Sequence, residues 1–319
     1  MQFKKSRFNF LIYPFFLFFL LIQVLKAEEV PYLLIASAKG DSETVNAIIT
    51  AQGDINITDS DGINALMYAA RKNEFKIAEL LIKAGIKINH LDNFGWSALM
   101  YAAKKNHLET VKLLLASGAN PKITDPDGWS AYGLAASAGH NETINSLIKY
   151  GLDPNSRNNS GQTVLMLAAK KGSLPVVKTL IDNKADISLK DSSGKTALMI
   201  ASANNRPDII KYLLNRGADI FAKDKSEWTA LTWAVQKKNF DCAAALISRG
   251  ADINEKDDQG TPLLHFAVLN GSVEIVELLI KNKVNLKAKD QYGLTAYVYA
   301  LKEHQKEIAI MLKENGGTY

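Results

Sequence analysis

Beyond about residue 30, apolar and polar positions follow one pattern that returns every 33 residues. One period holds a short apolar block, Ala65-Leu66-Met67-Tyr68-Ala69-Ala70, closed by Arg71-Lys72-Asn73. A second block runs from Phe75 to Lys83, with Ile77 and Leu80-Leu81-Ile82 at the spacing of an amphipathic helix. The pattern predicts two short helices joined by a tight turn, the second burying Ile77 and the Leu80-Leu81-Ile82 trio. Landmarks between the blocks keep the register. Asp59, Asp92, Asp125, Asp191, Asp224, Asp257 and Asp290 are 33 residues or a multiple of it apart, with Asn158 in the remaining place. Three positions later comes glycine, with Glu227 the exception, and ten positions later comes alanine in all eight copies, from Ala69 to Ala300.

Each landmark has a physical reading. Asp-x-x-Gly favours a tight turn, since the carboxylate accepts nearby backbone N–H groups and glycine tolerates positive φ. Ser97, Ser130, Thr163, Thr196, Thr229 and Thr295 then stand where the first helix needs an N-cap acceptor. The small alanine in every copy lets the next unit's helix come close. Asn73, Asn106, Gly139, Gly172 and Gly271 turn the chain between helices, and Gly85, Gly118, Gly151, Gly217 and Gly250 end the second helix at C′. One such unit cannot bury its apolar face alone, so the units must stack.

The period, the Gly-x-Thr-Ala-Leu-Met-x-Ala core and the Leu-Leu-x-x-x-Gly-Ala-Asp-Ile-Asn tail resemble ankyrin repeats, most closely in Gly250-Ala251-Asp252-Ile253-Asn254 and Thr261-Pro262-Leu263-Leu264-His265. The resemblance covers residues 31 to 319. It implies an all-α ankyrin-repeat solenoid of about nine helix-turn-helix units, with short β-hairpin or turn projections and helix pairs starting near 33, 66, 99, 132, 165, 198, 231, 264 and 297. Residues 28–319 are expected to form the repeat domain. Polar terminal caps are expected, Asp41, Ser42, Glu43, Thr44 and Asn46 at one end and Lys302, Glu303, Lys306, Glu307, Lys313 and Glu314 at the other.

The first 27 residues differ. Three positive charges within Met1–Arg7 precede a 13-residue apolar run, Phe10–Ile22, interrupted by Pro14 and followed by a polar stretch with Ala27 ahead of Glu28-Glu29. That is the layout of a secretory signal peptide, cut after Ala27 or kept as an uncleaved anchor, and too short for a ~20-residue membrane-crossing helix. The expected location is periplasmic or secreted. The formal charge of +5 owes four basic residues to this segment, and the remainder carries 34 basic against 33 acidic side chains. So balanced a remainder gives no ground for nucleic-acid binding, and the lone Cys242 excludes an intramolecular disulfide.

No Gly-rich phosphate loop, nucleophile elbow or HExxH occurs, so no enzyme activity, cofactor or metal is expected. His90, His107, His140, His265 and His304 are scattered; His107 and His140 stand one period apart, ~10 Å between equivalent backbone points and too far for easy joint metal binding. The resemblance gives His265 a hydrogen bond to the hairpin. Cys242 shares a column with Ile77, Val176 and Ile209 and is expected as a small buried hydrophobe.

The columns that the repeat leaves free are, by resemblance, those that line a concave partner-binding face. The position after the turn glycine holds Trp96, Trp129 and Trp228, with Phe94 at a nearby hairpin tip. First-helix ends hold Arg71, Lys72, Lys104, Lys105, Lys170, Lys171 and Lys237, and the position before the turn Asp holds Arg157, Lys190, Lys223, Lys256 and Lys289. In all, these columns carry sixteen basic residues against Asp61, Asp127, Asp258 and Glu303. The expectation is a monomeric, non-enzymatic module that binds an acidic protein through Trp96, Trp129, Trp228, Phe94, Arg71, Lys72, Lys104 and Lys105. Membrane contact is expected only through an uncleaved leader. Adhesion to an anionic surface, or action as a secreted effector on host proteins, are the competing readings.

Overall fold

The computed structural model describes residues 31–319; the expected leader lies outside the described residues. The chain divides into two compact units, one ending at Ala98 and the other running from Leu99 to Tyr319. The first contains α1 (Tyr32–Lys39), α2 (Ser42–Thr50), α3 (Ala65–Lys72) and α4 (Phe75–Lys83). The second contains α5 (Ala98–Lys105, entered at Leu99), α6 (Leu108–Ala116), α7 (Ala131–Ala138), α8 (Asn141–Lys149), α9 (Val164–Lys171), α10 (Leu174–Asp182), α11 (Ala197–Ala203), α12 (Pro207–Asn215), α13 (Ala230–Gln236), α14 (Phe240–Ile247), α15 (Leu263–Leu269), α16 (Val273–Lys281), α17 (Ala296–Lys302) and α18 (Lys306–Glu314). The described residues thus form nine helix pairs, an all-α helical-repeat solenoid with starts within a residue or two of those expected.

Within each unit, like stacks on like. In the first, α1 packs on α3 and α2 on α4; in the second, the first helices α7, α9, α11, α13, α15 and α17 form one row and the second helices α6 to α18 another. The alanine column explains the close approach of the first row. Ala69, Ala102, Ala135, Ala168, Ala201, Ala234, Ala267 and Ala300 are completely buried. In the second helices only part of the expected trio is fully buried. Leu81 is at zero exposure while Leu80 and Ile82 are half-buried, because a helix covered along one stripe hides the central residue and leaves its flanks partly in solvent.

The projections are turns closed by single antiparallel bridges, Thr58 with Asn64 in the first unit and Thr124 with Ser130, Arg157 with Thr163, Lys256 with Pro262 and Lys289 with Thr295 in the second. They do not lengthen into strands because the turn carboxylate takes the N–H groups. Asp191 Oδ1 accepts from the N–H of Ser193 at 2.8 Å and of Lys195 at 2.9 Å, and Asp59, Asp92, Asp125, Asn158, Asp224, Asp257 and Asp290 do the same two and four residues on. Most neighbouring hairpins are linked by one backbone bond, such as Lys225 N–H to the Ser193 carbonyl at 3.0 Å, while Pro126 has no N–H to give one. That closeness requires Gly194 at φ +84, since a Cβ there would stand 2.9 Å from the Lys225 nitrogen. Glu227, where glycine is missing, holds φ +60, and its carboxylate accepts a 2.8 Å bond from Lys223.

Helix starts follow the expectation in part. Thr163, Thr196 and Thr229 accept backbone N–H bonds as N-caps, and Asn64 does so in the first unit. Ser130 and Thr295 occupy the N-cap position without a side-chain cap bond; the Thr295 hydroxyl donates instead to the Thr318 carbonyl at 2.6 Å. Asp41 caps α2 through the Thr44 N–H and hydroxyl, and Lys313 is exposed. Because Ala201 sits fully enclosed between rows, Ala201→Leu is expected to destabilise the protein by about 1–3 kcal/mol through overpacking. Urea denaturation followed by circular dichroism should show a lower midpoint, while the exposed Lys211→Leu should leave it nearly unchanged.

Candidate binding surface

The free columns acquire geometry from an arrangement that recurs beside the hairpins. Nine residues after the turn Asp the first helix can carry an aromatic donor. Tyr68 donates to Asp59 Oδ2 at 2.7 Å, Trp233 to Asp224 Oδ2 at 2.9 Å and Tyr299 to Asp290 Oδ2 at 2.6 Å. A cation then lies on each ring: Arg71 4.7 Å from the Tyr68 centroid, Lys195 4.0 Å from that of Trp233 and Lys302 5.7 Å from that of Tyr299. The bond to Asp290 also pushes the Tyr299 hydroxyl up to about 12. These carboxylate–ring–cation sets hold basic groups in place, and they join three columns whose spacing along the chain gives no sign of contact.

In the first unit Arg71 is half-buried over Tyr68, Lys72 is exposed, Phe94 is 59% exposed at a hairpin tip and Trp96 is half-buried. In the second, Lys104 donates to the Ser137 hydroxyl at 3.0 Å and Lys105 is exposed. Trp129 and Trp228 are half-buried, and both have structural neighbours. The Trp129 indole lies against Gly133 of the following helix, where a Cβ would come within 2.3 Å of its ring. Trp228 meets Trp233 edge-on at 4.8 Å and Phe266 at 5.2 Å between centroids. Each tryptophan therefore anchors its own repeat and offers only part of its ring to solvent.

The basic column before the turn Asp also has internal work. Arg157 donates to the Lys190 carbonyl at 2.9 Å, Lys190 to the Lys223 carbonyl at 2.7 Å and Lys256 to the Lys289 carbonyl at 2.8 Å, each tying one repeat to the next. The helix-end lysines are different. Lys105, Lys170, Lys171 and Lys237 are exposed, and among the described residues no carboxylate forms an ion pair with them or with Lys104. Between hairpins and first helices of the second unit lies a groove of about 560 Å³, bordered by Gln162, Leu167, Lys170, Asp191, Lys195 and Ile200.

A family model described as ankyrin repeats (3 copies) matches residues 33–125, 117–191, 183–257 and 250–318, nearly all of the described chain. The chain belongs to the ankyrin-repeat family. No curated protein matched in a search with the whole sequence. Ankyrin repeats generally serve as protein–protein interaction modules and are typically non-enzymatic scaffolds. In the second unit the unpaired lysines lie at first-helix ends, and the groove lies between hairpins and first helices.

Several ionisable groups elsewhere are bound or buried within the stack. His265 Nε2 bonds the Leu294 carbonyl of the next hairpin at 3.0 Å, the bond that the family resemblance implies. His90 bonds the Gly62 carbonyl at 2.8 Å, and His140 that of Lys104 at 3.0 Å. Burial holds His140 and His265 below the usual imidazole range despite these bonds. Among the described residues no group of three His, Cys, Asp or Glu side chains is placed to hold a metal ion. Cys242 is fully buried, and burial pushes its thiol up to about 12. Glu255 accepts hydroxyl bonds from Thr229 at 2.6 Å and Thr232 at 2.5 Å, yet desolvation raises its carboxyl above the ordinary 4.5.

Two outcomes follow. A thiol with so little thiolate should not react with a disulfide reagent at neutral pH in the native protein, and should react fully once urea unfolds the chain. For Glu255 the folded state favours the protonated form, so its contribution to stability is complete below pH 4.5 and is lost as pH rises through the folded value. Glu255→Gln copies the protonated form and keeps an acceptor for both threonines. Its thermal midpoint, compared with that of the parent protein, should gain as pH rises from below 4.5 to neutrality.

Proposed function

We propose that this protein is an exported, non-enzymatic ankyrin module that binds an acidic protein partner through its basic inner face. The observation that carries the reading is the set of exposed first-helix lysines, Lys105, Lys170, Lys171 and Lys237, with no carboxylate ion-paired to them among the described residues. Unneutralised charge on one face steers an oppositely charged partner and speeds its association. The half-buried Trp129 and Trp228 add ring edges of a residue type enriched in binding hot spots. Arg71, Lys72, Phe94 and Trp96 extend the same columns in the first unit. The N-terminal segment, with its positive start and short apolar run, supports delivery to the periplasm or the cell exterior, with the repeats outside the cytoplasm.

A paired pull-down from the producing cell's envelope and secreted fractions tests this at ~0.15 M salt, where the Debye length is ~8 Å. The two baits are the parent protein and a variant with Lys104→Glu, Lys105→Glu, Lys170→Glu and Lys171→Glu, both checked for helicity. These charges are the better targets, because truncating Trp129 would also strip the cover from Gly133. A partner held by the parent and weakened at least tenfold in the variant is the expected result. Equal retention by both would move the site off this face. Binding to anionic vesicles that vanishes on raising salt, with no protein retained, would favour the anionic-surface reading.

A further inference from the structure

The residue nine places after each turn Asp decides what fills the space between hairpin and first helix. It is aromatic at Tyr68, Tyr101, Trp233, Phe266 and Tyr299 but aliphatic at Leu134, Leu167 and Ile200. Where Tyr68, Trp233 and Tyr299 donate to Oδ2 of their turn carboxylate, Ile200 has nothing to donate to Asp191. Leu167 and Ile200 line the groove of about 560 Å³, within the size range of ligand sites. Asp191 borders it too, with Oδ1 engaged by two backbone N–H groups and no side-chain donor on Oδ2 among the described residues.

Two cations stand at the same groove, Lys170 and Lys195. The Lys195 side chain borders it, and its ammonium is fixed on the ring of Trp233 in the next repeat, whose indole N–H is tied to Asp224. A charge so placed loses little freedom on meeting a partner. The groove therefore offers cations, an apolar floor and one carboxylate oxygen able to accept an N–H bond. A small anion would satisfy the lysines but leave the floor uncovered and stand beside the like charge of Asp191.

We propose that this groove receives an extended segment of the partner protein in which acidic and apolar side chains alternate. Successive side chains of an extended chain point to opposite sides, so carboxylates reach Lys170 and Lys195 while apolar residues cover Leu167 and Ile200. A backbone N–H of the segment, unpaired in an isolated extended chain, donates to Asp191 Oδ2. The proposal rests on the inner-face reading above and narrows it to the two repeats carrying Asn158 and Asp191.

The test selects peptides from a random-sequence phage-displayed library on the immobilised protein at ~0.15 M salt. Enriched peptides are labelled and titrated by fluorescence anisotropy against the parent protein and three variants. Ile200→Tyr supplies the donor that Tyr299 gives Asp290 and fills the groove. Lys170→Gln with Lys195→Gln removes its cations, and Lys104→Gln with Lys105→Gln removes inner-face charge outside it. The expected result is alternating acidic and apolar peptides whose affinity falls more than tenfold with Ile200→Tyr and about tenfold with the groove-lysine pair. The Lys104 and Lys105 pair, which belongs to the wider inner face, should lower it less than the groove-lysine pair does. Thermal unfolding checks that Ile200→Tyr is folded, and the surface lysine pair decides the matter if it is not. Acidic peptides insensitive to the groove variants but weakened by the Lys104 and Lys105 pair would overturn the groove while leaving the inner-face reading standing. Enrichment of no peptide, or of peptides without acids, would also overturn the groove proposal, and the pull-down decides the wider reading separately.

Discussion

A pair of helices seven to nine residues long has one apolar stripe and no means of covering it alone. Everything else in this chain follows from burying that stripe against the neighbouring repeat. The fully enclosed alanines of the first helices are the contact points, and their small size sets how near the next helix lies. Isolated helices of such length are marginal in water, so packing rather than propensity keeps them folded. The turn carboxylates finish the register by taking two backbone N–H groups each, which stops the hairpins as turns and aligns them for the backbone link that most make to the next.

The same economy frees a surface for recognition. Once alanine, leucine and turn aspartate are committed to stacking, the residues between them are held on a preformed frame and are free to vary in chemistry. Some of the variation is spent inside: Arg157, Lys190 and Lys256 bridge to the next repeat's carbonyl, and Trp129 covers a glycine. What remains outward is the row of unpaired lysines at first-helix ends and the groove beside Ile200. Basic charge alone thus overstates the binding surface, since part of it already has a partner in the stack.

Much of this was legible before any coordinates. The 33-residue period, the helix pairs and the turn aspartates are local or nearest-neighbour features that each repeat reports again in the same column, and the His265 bond to the next hairpin follows from the family resemblance. The weaker expectations concerned residues whose fate depends on a neighbour one repeat away. Leu80 and Ile82 read as core but lie at the flank of the buried stripe. Ser130 and Thr295 read as caps, yet the Thr295 hydroxyl is taken by the Thr318 carbonyl, a partner 23 residues along the chain.

The sequence by itself determined the repeat, its length and which columns are structural, because stacking identical units imposes the same demand at the same position each time. Only the tertiary structure decided which of the free residues are available. Lys195 rests on a tryptophan 38 positions on, and Asp191 lacks the aromatic donor that Asp224 has. The donor column, nine residues after the turn Asp, can be located in the sequence, but that its side chain reaches the turn carboxylate, and that Lys195 meets a ring across the stack, depend on reach and direction, which spacing along the chain does not give.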